Sequence, residues 1–482
     1  MSPTKVAPHL FVILGALGDL ARRKLLPALY HLSARGDLSA CRILGVDTDD
    51  KLDDNGFRAW AHKLLESTGE ATSADISQWC AKYLHYFGTG RSPNYLKLAA
   101  RIEALEREHR LPGNRVFYLA LPSGAVPAVV AGLGKAGLSR GPGWTRLVLE
   151  KPFGWDLASA QKLNLEVHRY FDESQIYRTD HFLGKETVQN LLVFRFGNTF
   201  FEHLWSREHI ESIEITVAES LRVEGRAAYY ERAGALRDMV QNHLTQLMTL
   251  VAMEVPAAFK SEAIRNEKIK VLEQITPIHP QDVVLGQYTS GRIGGEKVAG
   301  YREEPGVSPN SRTATFVALK LEVANWRWKG VPFHLRTGKR LPRRCTQIVI
   351  RYHCAPVSIF HPFESSCNIQ PNVLVIILQP DEGFELLFQV KAPGQPFRLT
   401  TQPLHFRYAE AFGKLLDAYE TIILDVLHGD QTLFVCDREV EHAWRLYDEL
   451  LDKDIPVYPY PAGTWGPAEI DKLGASWLNR SV

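Results

Sequence analysis

Up to about residue 155, short apolar runs alternate with stretches whose apolar positions recur every three or four residues. Leu10–Leu14, Arg42–Val46, Val116–Leu121 and Arg146–Leu149 are mostly apolar from end to end, the pattern of strands buried on both faces of a parallel sheet. Between them, Leu20–Ala34 and Leu96–Glu108 carry the period of helices packed by one face. This alternation predicts an α/β, doubly wound first domain over residues 1–178. Beyond about residue 190 the texture changes. Ile213–Ala218, Ala314–Val323, Thr346–Tyr352, Val373–Leu378 and Phe384–Val390 are spaced by turn residues and predict a large, mainly antiparallel sheet. Helical patterns at Leu236–Met253, Ala409–His428 and Arg438–Leu451 are mixed into it, so residues 179–482 are expected to form an α+β domain.

The composition narrows the function classes. A chain of 482 residues, 45% hydrophobic and 23% charged, builds two or three folded domains and is not a disordered protein. Lys+Arg 56 against Asp+Glu 55 leaves a net charge of +1, so no overall field draws nucleic acid or an anionic membrane, and an anion must meet a local site. The apolar run Leu10–Leu17 is far shorter than the roughly 20 residues of a membrane span. Its charges follow the run, unlike those of a secretory signal. The cysteines at 41, 80, 345, 354, 367 and 436 form no C-x-x-C pair, which suggests free thiols in a reducing cytoplasm and no metal site.

Candidate chemistry begins at the first strand, which runs into Gly15-Ala16-Leu17-Gly18-Asp19-Leu20-Ala21. Glycines there permit a tight turn and close approach of backbone N–H groups to a pyrophosphate at a helix N-terminus. Its place after the first strand favours a Rossmann-like dinucleotide site over an ordinary turn. At the end of the second strand stand Asp47 and Thr48. An inward Asp47 accepts hydrogen bonds from ribose hydroxyls and repels a 2′-phosphate; an outward one belongs to a solvated acidic loop, with Arg42 or Lys51 swinging in. Glu150-Lys151-Pro152 follows a strand directly, and Lys151 is either a bridge between cofactor and substrate or a surface lysine.

Arg178–Glu186 gathers Asp180, His181 and Lys185. As a helical turn it would set His181 and Lys185 on one face as two donors for a phosphate; the alternative is a solvated helix start. Along Leu236–Met253, at about 100° per residue, His243 falls within the apolar face and Asp238 on the other side. His243 is then either a satisfied core histidine or a base in a dry cleft. Arg336, Lys339, Arg340, Arg343 and Arg344 make either a solvated loop or a phosphate clamp.

In this order, these segments resemble the glucose-6-phosphate dehydrogenase family. R-x-D-H-x-L-G-K-E at 178–186 and R-D-x-x-Q-N-H at 237–243 are the most specific. Asn114–Pro122, Glu150-Lys151-Pro152, Arg195–Asn198, Arg336–Lys339 and Gly463–Pro467 extend the resemblance over nearly the whole chain. The resemblance implies oxidation of C1 of glucose 6-phosphate to the lactone, the entry step of the pentose phosphate or Entner–Doudoroff route, with hydride passing to a nicotinamide coenzyme. It implies His243 as general base and Asp180 as its carboxylate partner. It further implies His181 and Lys185 on the phosphate, Glu219 and Asp238 on sugar hydroxyls, and Lys151 between coenzyme and sugar. Lys339, Arg344 and Gln379 are implied as further substrate-side groups. A homodimer or homotetramer formed through the large sheet is implied too.

Four positions depart from the family pattern: Phe182 stands for a phosphate-binding tyrosine, Leu17 for Ser or Thr, Thr48 for the Arg of NADP users, and Ile377 for an arginine that holds a structural NADP. NAD is therefore the expected coenzyme, with NADP as the alternative. Two other classes compete. One is a dehydrogenase of unphosphorylated sugars sharing the dinucleotide domain and E-K-P turn; the other is a coenzyme-binding sensor without turnover, which has no need for a base paired with a carboxylate.

Overall fold

The computed structural model describes residues 6–38, 40–69, 72–360, 369–395, 397–413 and 415–479. Cys367 therefore lies outside the described residues; the other five cysteines are free thiols. Six parallel strands form the first sheet: β1 His9–Leu14, β2 Cys41–Asp47, β3 Leu84–Gly88, β4 Arg115–Leu119, β5 Thr145–Leu149 and β6 Ile176–Arg178. Their order is β3-β2-β1-β4-β5-β6, the doubly wound arrangement whose direction reverses between β1 and β4. Successive residues of β1 point to opposite faces: Phe11 and Ile13 join one apolar cluster, Leu10, Val12 and Leu14 another. Helices cover both faces, which is why these strands read as unbroken apolar runs.

One of those covering helices comes from far along the chain. The first compact unit comprises Met1–Gly184, Lys260–Arg265 and Leu416–Glu441; the second comprises Lys185–Phe259, Asn266–Leu415 and His442–Val482. Helix Ala418–His428, whose sequence position groups it with the α+β part, places Ile422, Ile423, Val426 and Leu427 in the cluster of Phe11 and Ile13. The helical pattern read over Ala409–His428 is also not continuous. Helix Tyr408–Phe412 ends at Gly413 (φ 76°), and Asp417 caps the next helix by accepting from the Tyr419 N–H at 2.9 Å.

The second unit is built on a nine-stranded sheet. Its strands are β7 Ile210–Ala218, β8 Val283–Thr289, β11 Phe316–Glu322, β12 Pro332–Gly338, β13 Cys345–Tyr352, β14 Val373–Gln379, β15 Gly383–Lys391, β16 Leu399–Arg407 and β17 Val457–Pro461, while β9 Gly291–Ile293 and β10 Glu296–Val298 form a separate hairpin. The order is β16-β15-β14-β13-β7-β12-β11-β8-β17. Pairing is mainly antiparallel, with parallel contacts at β7–β12 and β8–β17. The helical segment Leu236–Leu244 packs on β7, β11 and β12. No helix among the described residues is long and apolar enough to cross a membrane.

Candidate active site

In the first unit, the candidate residues stand at the carboxyl ends of the parallel strands, where open α/β sheets bind ligands. Gly15 follows β1 with φ +88°, and a Cβ there would lie 2.4 Å from the Ala120 carbonyl oxygen after β4. Only glycine fits this crevice between the two central strands. Asp47, the last residue of β2, is turned toward the glycine loop: its Oδ2 accepts from the Leu17 N–H (2.9 Å) and its Oδ1 from the Thr48 N–H (2.7 Å). This corrects the outward alternative. Arg42 is held at the other end of β2, where its Nη1 donates to the Cys41 carbonyl. The glycine cradle and a carboxylate at the end of β2 fit the pyrophosphate and adenosine ribose of a dinucleotide. Asp19, at the start of the following helix, pairs with Arg22 and Arg23 on the surface.

Glu150 and Lys151 follow β5, and the Lys151–Pro152 bond is cis. The Glu150 Oε1 accepts from the Tyr118 hydroxyl at 2.5 Å. Burial pushes the Glu150 carboxyl up, while Tyr118, Thr179 and Lys151 favour its charged form. Asp180 follows β6 and is buried, and it organises the next turn: its Oδ1 accepts from the Phe182 N–H and its carbonyl from the Leu183 N–H, both at 2.9 Å. The helical turn considered for 180–186 does not form. Lys185 has an extended backbone and caps helix Glu186–Phe196, so His181 and Lys185 do not share one helical face. The buried Phe182 ring packs against His181 with centroids 4.9 Å apart and brings no hydroxyl.

In the second unit, strand register gathers the remaining candidates at one end of the large sheet. Thr337 of β12 pairs with Val217 of β7, Val217 with Thr346 of β13, and Thr346 with Gln379 of β14. Glu219, Lys339 and Arg344 lie within two residues of that row. Lys339 Nζ pairs with Glu219 Oε2 at 2.8 Å and sits 5.2 Å from the centre of the Tyr230 ring. Burial, followed by the charges of Asp238 and Glu219, holds the Tyr230 hydroxyl well above the usual phenol range, so it remains a donor. Lys185 acts on Glu382 in the turn after β14; burial pushes that carboxyl up and Lys185 opposes the shift. Arg344 is exposed and Gln379 half-buried.

His243 is fully buried and Asp238 nearly so. The segment Leu236–Leu244 that carries them is a π-helix. Side chains follow the same five-residue step: Asn242 Nδ2 donates to the Arg237 carbonyl (3.0 Å) and Thr245 Oγ1 to the Val240 carbonyl (2.6 Å). In such a helix, residues five apart, like Asp238 and His243, come toward one side. The regular wheel that set them on opposite sides used the wrong period. Tyr229 donates to Asp238 Oδ1 at 3.1 Å. Of the basic cluster at 336–344, Arg336 is not a solvent-facing cation: it is buried between Trp465 and Trp477 and donates to Asn479 Oδ1 at 2.8 Å.

Tyr118 falls within the Asn114–Pro122 motif without a role of its own there, and Tyr229 and Tyr230 belong to no motif, because a phenol beside a buried carboxylate leaves no periodic signature.

Residues 12–190 match the family model described as glucose-6-phosphate dehydrogenase, NAD binding domain, and residues 192–478 match its C-terminal domain. A glucose-6-phosphate 1-dehydrogenase of Aggregatibacter actinomycetemcomitans is 44% identical over 473 residues, covering 96% of this chain and 94% of that protein. A solved structure described as glucose-6-phosphate dehydrogenase in complex with its substrate glucose-6-phosphate superposes with a TM-score of 0.89 at 34% identity, covering 99% of this chain and 100% of that one. The enzyme from Mycobacterium avium gives 0.85 at 34% identity over 98% and 100%. With both halves matched and such identity along its whole length, the chain belongs to the glucose-6-phosphate dehydrogenase family.

Proposed function

We propose that this chain oxidises the C1 hydroxyl of glucose 6-phosphate to the lactone, with a nicotinamide dinucleotide held at the β1–β4 crevice. The bound coenzyme supplies the hydride acceptor. The observation that carries this reading is the complete burial of His243 within a family match spanning both halves of the chain. A neutral imidazole shielded from water takes the C1 hydroxyl proton, and Asp180 stabilises the imidazolium. His181 and Lys185 bind the phosphate, Glu219 and Asp238 orient sugar hydroxyls, and Lys151 stands between coenzyme and sugar. Lys339, Arg344 and Gln379 complete the substrate side. The enzyme works in the cytoplasm as a homodimer or homotetramer.

Asp47 supports NAD as the preferred coenzyme. Its carboxylate faces the loop that would hold the pyrophosphate, and neither Thr48 nor Leu17 brings a cation to a 2′-phosphate.

Initial rates of coenzyme reduction with glucose 6-phosphate and with glucose test the reading. Leaving buried phosphate-binding cations unpaired costs roughly 2–5 kcal/mol. At about 1.4 kcal/mol per decade, kcat/KM for glucose should be lower by roughly 30- to 3,000-fold. Equal values for the two sugars would exclude the phosphate assignment and favour a dehydrogenase of unphosphorylated sugars.

A further inference from the structure

Glu150 occupies the end of β5 directly before Lys151. The residue keeps some contact with solvent, but its carboxyl group lies inside the protein, where burial is the largest influence on it. Its Oε1 accepts from Tyr118, a fully buried residue of β4. The Thr179 hydroxyl, just after β6, donates to the Leu149 carbonyl at 3.0 Å and favours the charged form of the neighbouring Glu150 carboxyl. The Thr179 N–H donates to that same carbonyl at 2.9 Å. The carboxyl group thus ties the end of β4 to the residue after β5, and the two Thr179 bonds to Leu149, the residue before it, tie in the end of β6. The residues immediately beyond are Lys151 after β5 and Asp180 after β6. The other charged or titratable groups around it are Lys151, Asp180 and, from helix Ala418–His428, Tyr419.

We propose that Glu150 is a positioning residue: through Tyr118, and beside the Leu149–Thr179 bonds, it sets where Lys151 and Asp180 stand, without itself touching sugar or coenzyme. The proposal rests on the dehydrogenase reading above. Burying a carboxyl group is costly, and packing alone would be served as well by an apolar side chain. A satisfied polar network instead imposes one geometry on the strand ends it joins. That matters because a displacement of about 1 Å at a reacting group can cost on the order of 10²-fold in rate. In its charged form, which Tyr118, Thr179 and Lys151 favour, the Glu150 carboxylate adds negative charge beside Asp180, and that charge favours the protonated form of the proposed base.

The test uses the full chain with Glu150→Gln, which keeps shape and an acceptor but removes the charge, and Tyr118→Phe, which removes only the phenol donor. Both should lower kcat by roughly 10- to 100-fold, with little change in KM for either substrate. Glu150→Gln should also move the acid limb of the kcat profile to lower pH, whereas Tyr118→Phe should not. Wild-type kcat and an unmoved acid limb in Glu150→Gln, with only a lower melting temperature, would make Glu150 structural and overturn the proposal. Should that variant not fold, wild-type kcat in Tyr118→Phe overturns it equally. A wild-type chain that reduces no coenzyme with glucose 6-phosphate would instead remove the dehydrogenase reading, and the proposal with it.

Discussion

A buried histidine has two opposite uses, and His243 illustrates how one substitution separates them. If it were a core residue, His243→Asn would act mainly on stability. As the base, its replacement by an amide that cannot accept a proton should lower kcat by roughly 10²–10⁴ with much smaller changes in KM. The wild-type rate should also fall on the acid side as the imidazole takes up a proton. More than a tenth of the rate remaining in the variant would restore the core reading. Asp47 poses a similar choice for coenzyme. Like-charge contact and lost hydrogen bonds of roughly 1–3 kcal/mol correspond to a preference for NAD of about 5- to 150-fold in kcat/KM. Asp47→Ala combined with Thr48→Arg should move it toward NADP by supplying a planar cation for the phosphate. An NADP preference in the unmodified enzyme would show that Asp47 does not discriminate.

Individual elements are held in place by single groups at their ends. The β1 turn depends on Gly15: alanine there meets both the positive φ and a carbonyl oxygen inside van der Waals distance. Gly15→Ala should therefore weaken coenzyme binding sharply, as read by fluorescence titration, while glucose 6-phosphate binding is less affected. At β3, Asp54 begins helix Asp54–Glu66 and accepts from the Tyr86 N–H (2.7 Å) and from Arg101 (3.0 Å). Burial alone would raise its pKa, but hydrogen bonds from His85 and Tyr86 and the Arg101 charge outweigh it and lower the value to about 2. The folded value lies below the unfolded one of roughly 3.9. The stabilisation is therefore fully present above pH 4 and is lost as pH falls toward 2. Asp54→Asn should lower the melting temperature near neutrality and flatten its dependence on acid in that window. Parallel acid profiles for the two proteins would show that Asp54 carries no such linkage.

At the scale of the whole chain, the first unit cannot be cut out as one continuous piece. Ile422, Ile423, Val426 and Leu427 belong to the apolar cluster built on Phe11 and Ile13, and Arg146 Nη1 donates to the Val426 and Leu427 carbonyls at 2.6 and 2.7 Å. Burying a large aliphatic side chain is worth about 1.5–3 kcal/mol. Four of them approach the total stability of a domain, roughly 5–15 kcal/mol. A fragment ending at Gly184 should consequently show no cooperative thermal transition and weak near-ultraviolet dichroism. A sharp transition like that of the intact chain would mean that the distant helix is dispensable.

The amino-acid sequence determined much of this protein through signals local to a few turns of chain. β1, β2, β4 and β5 were legible because strands covered on both faces must be apolar throughout, and the G-x-x-G-x-x-A turn because only glycine tolerates that crevice. The family was legible because its motifs are dense in unusual polar residues at fixed spacing. Tertiary structure alone decided the rest. The width of the Leu236–Leu244 helix was not legible, because a π segment has the same residue types as an α-helix and differs only in which carbonyl each N–H reaches. β12 was hidden within a basic stretch, since Arg336 is stabilised there by Trp465 and Trp477 from more than a hundred residues away. The inward turn of Asp47 depends on a loop 30 residues earlier, and the helix covering β1 comes from beyond residue 415. Such pairings are set by contacts across the fold, and no periodicity along the chain encodes which distant partner a side chain will meet.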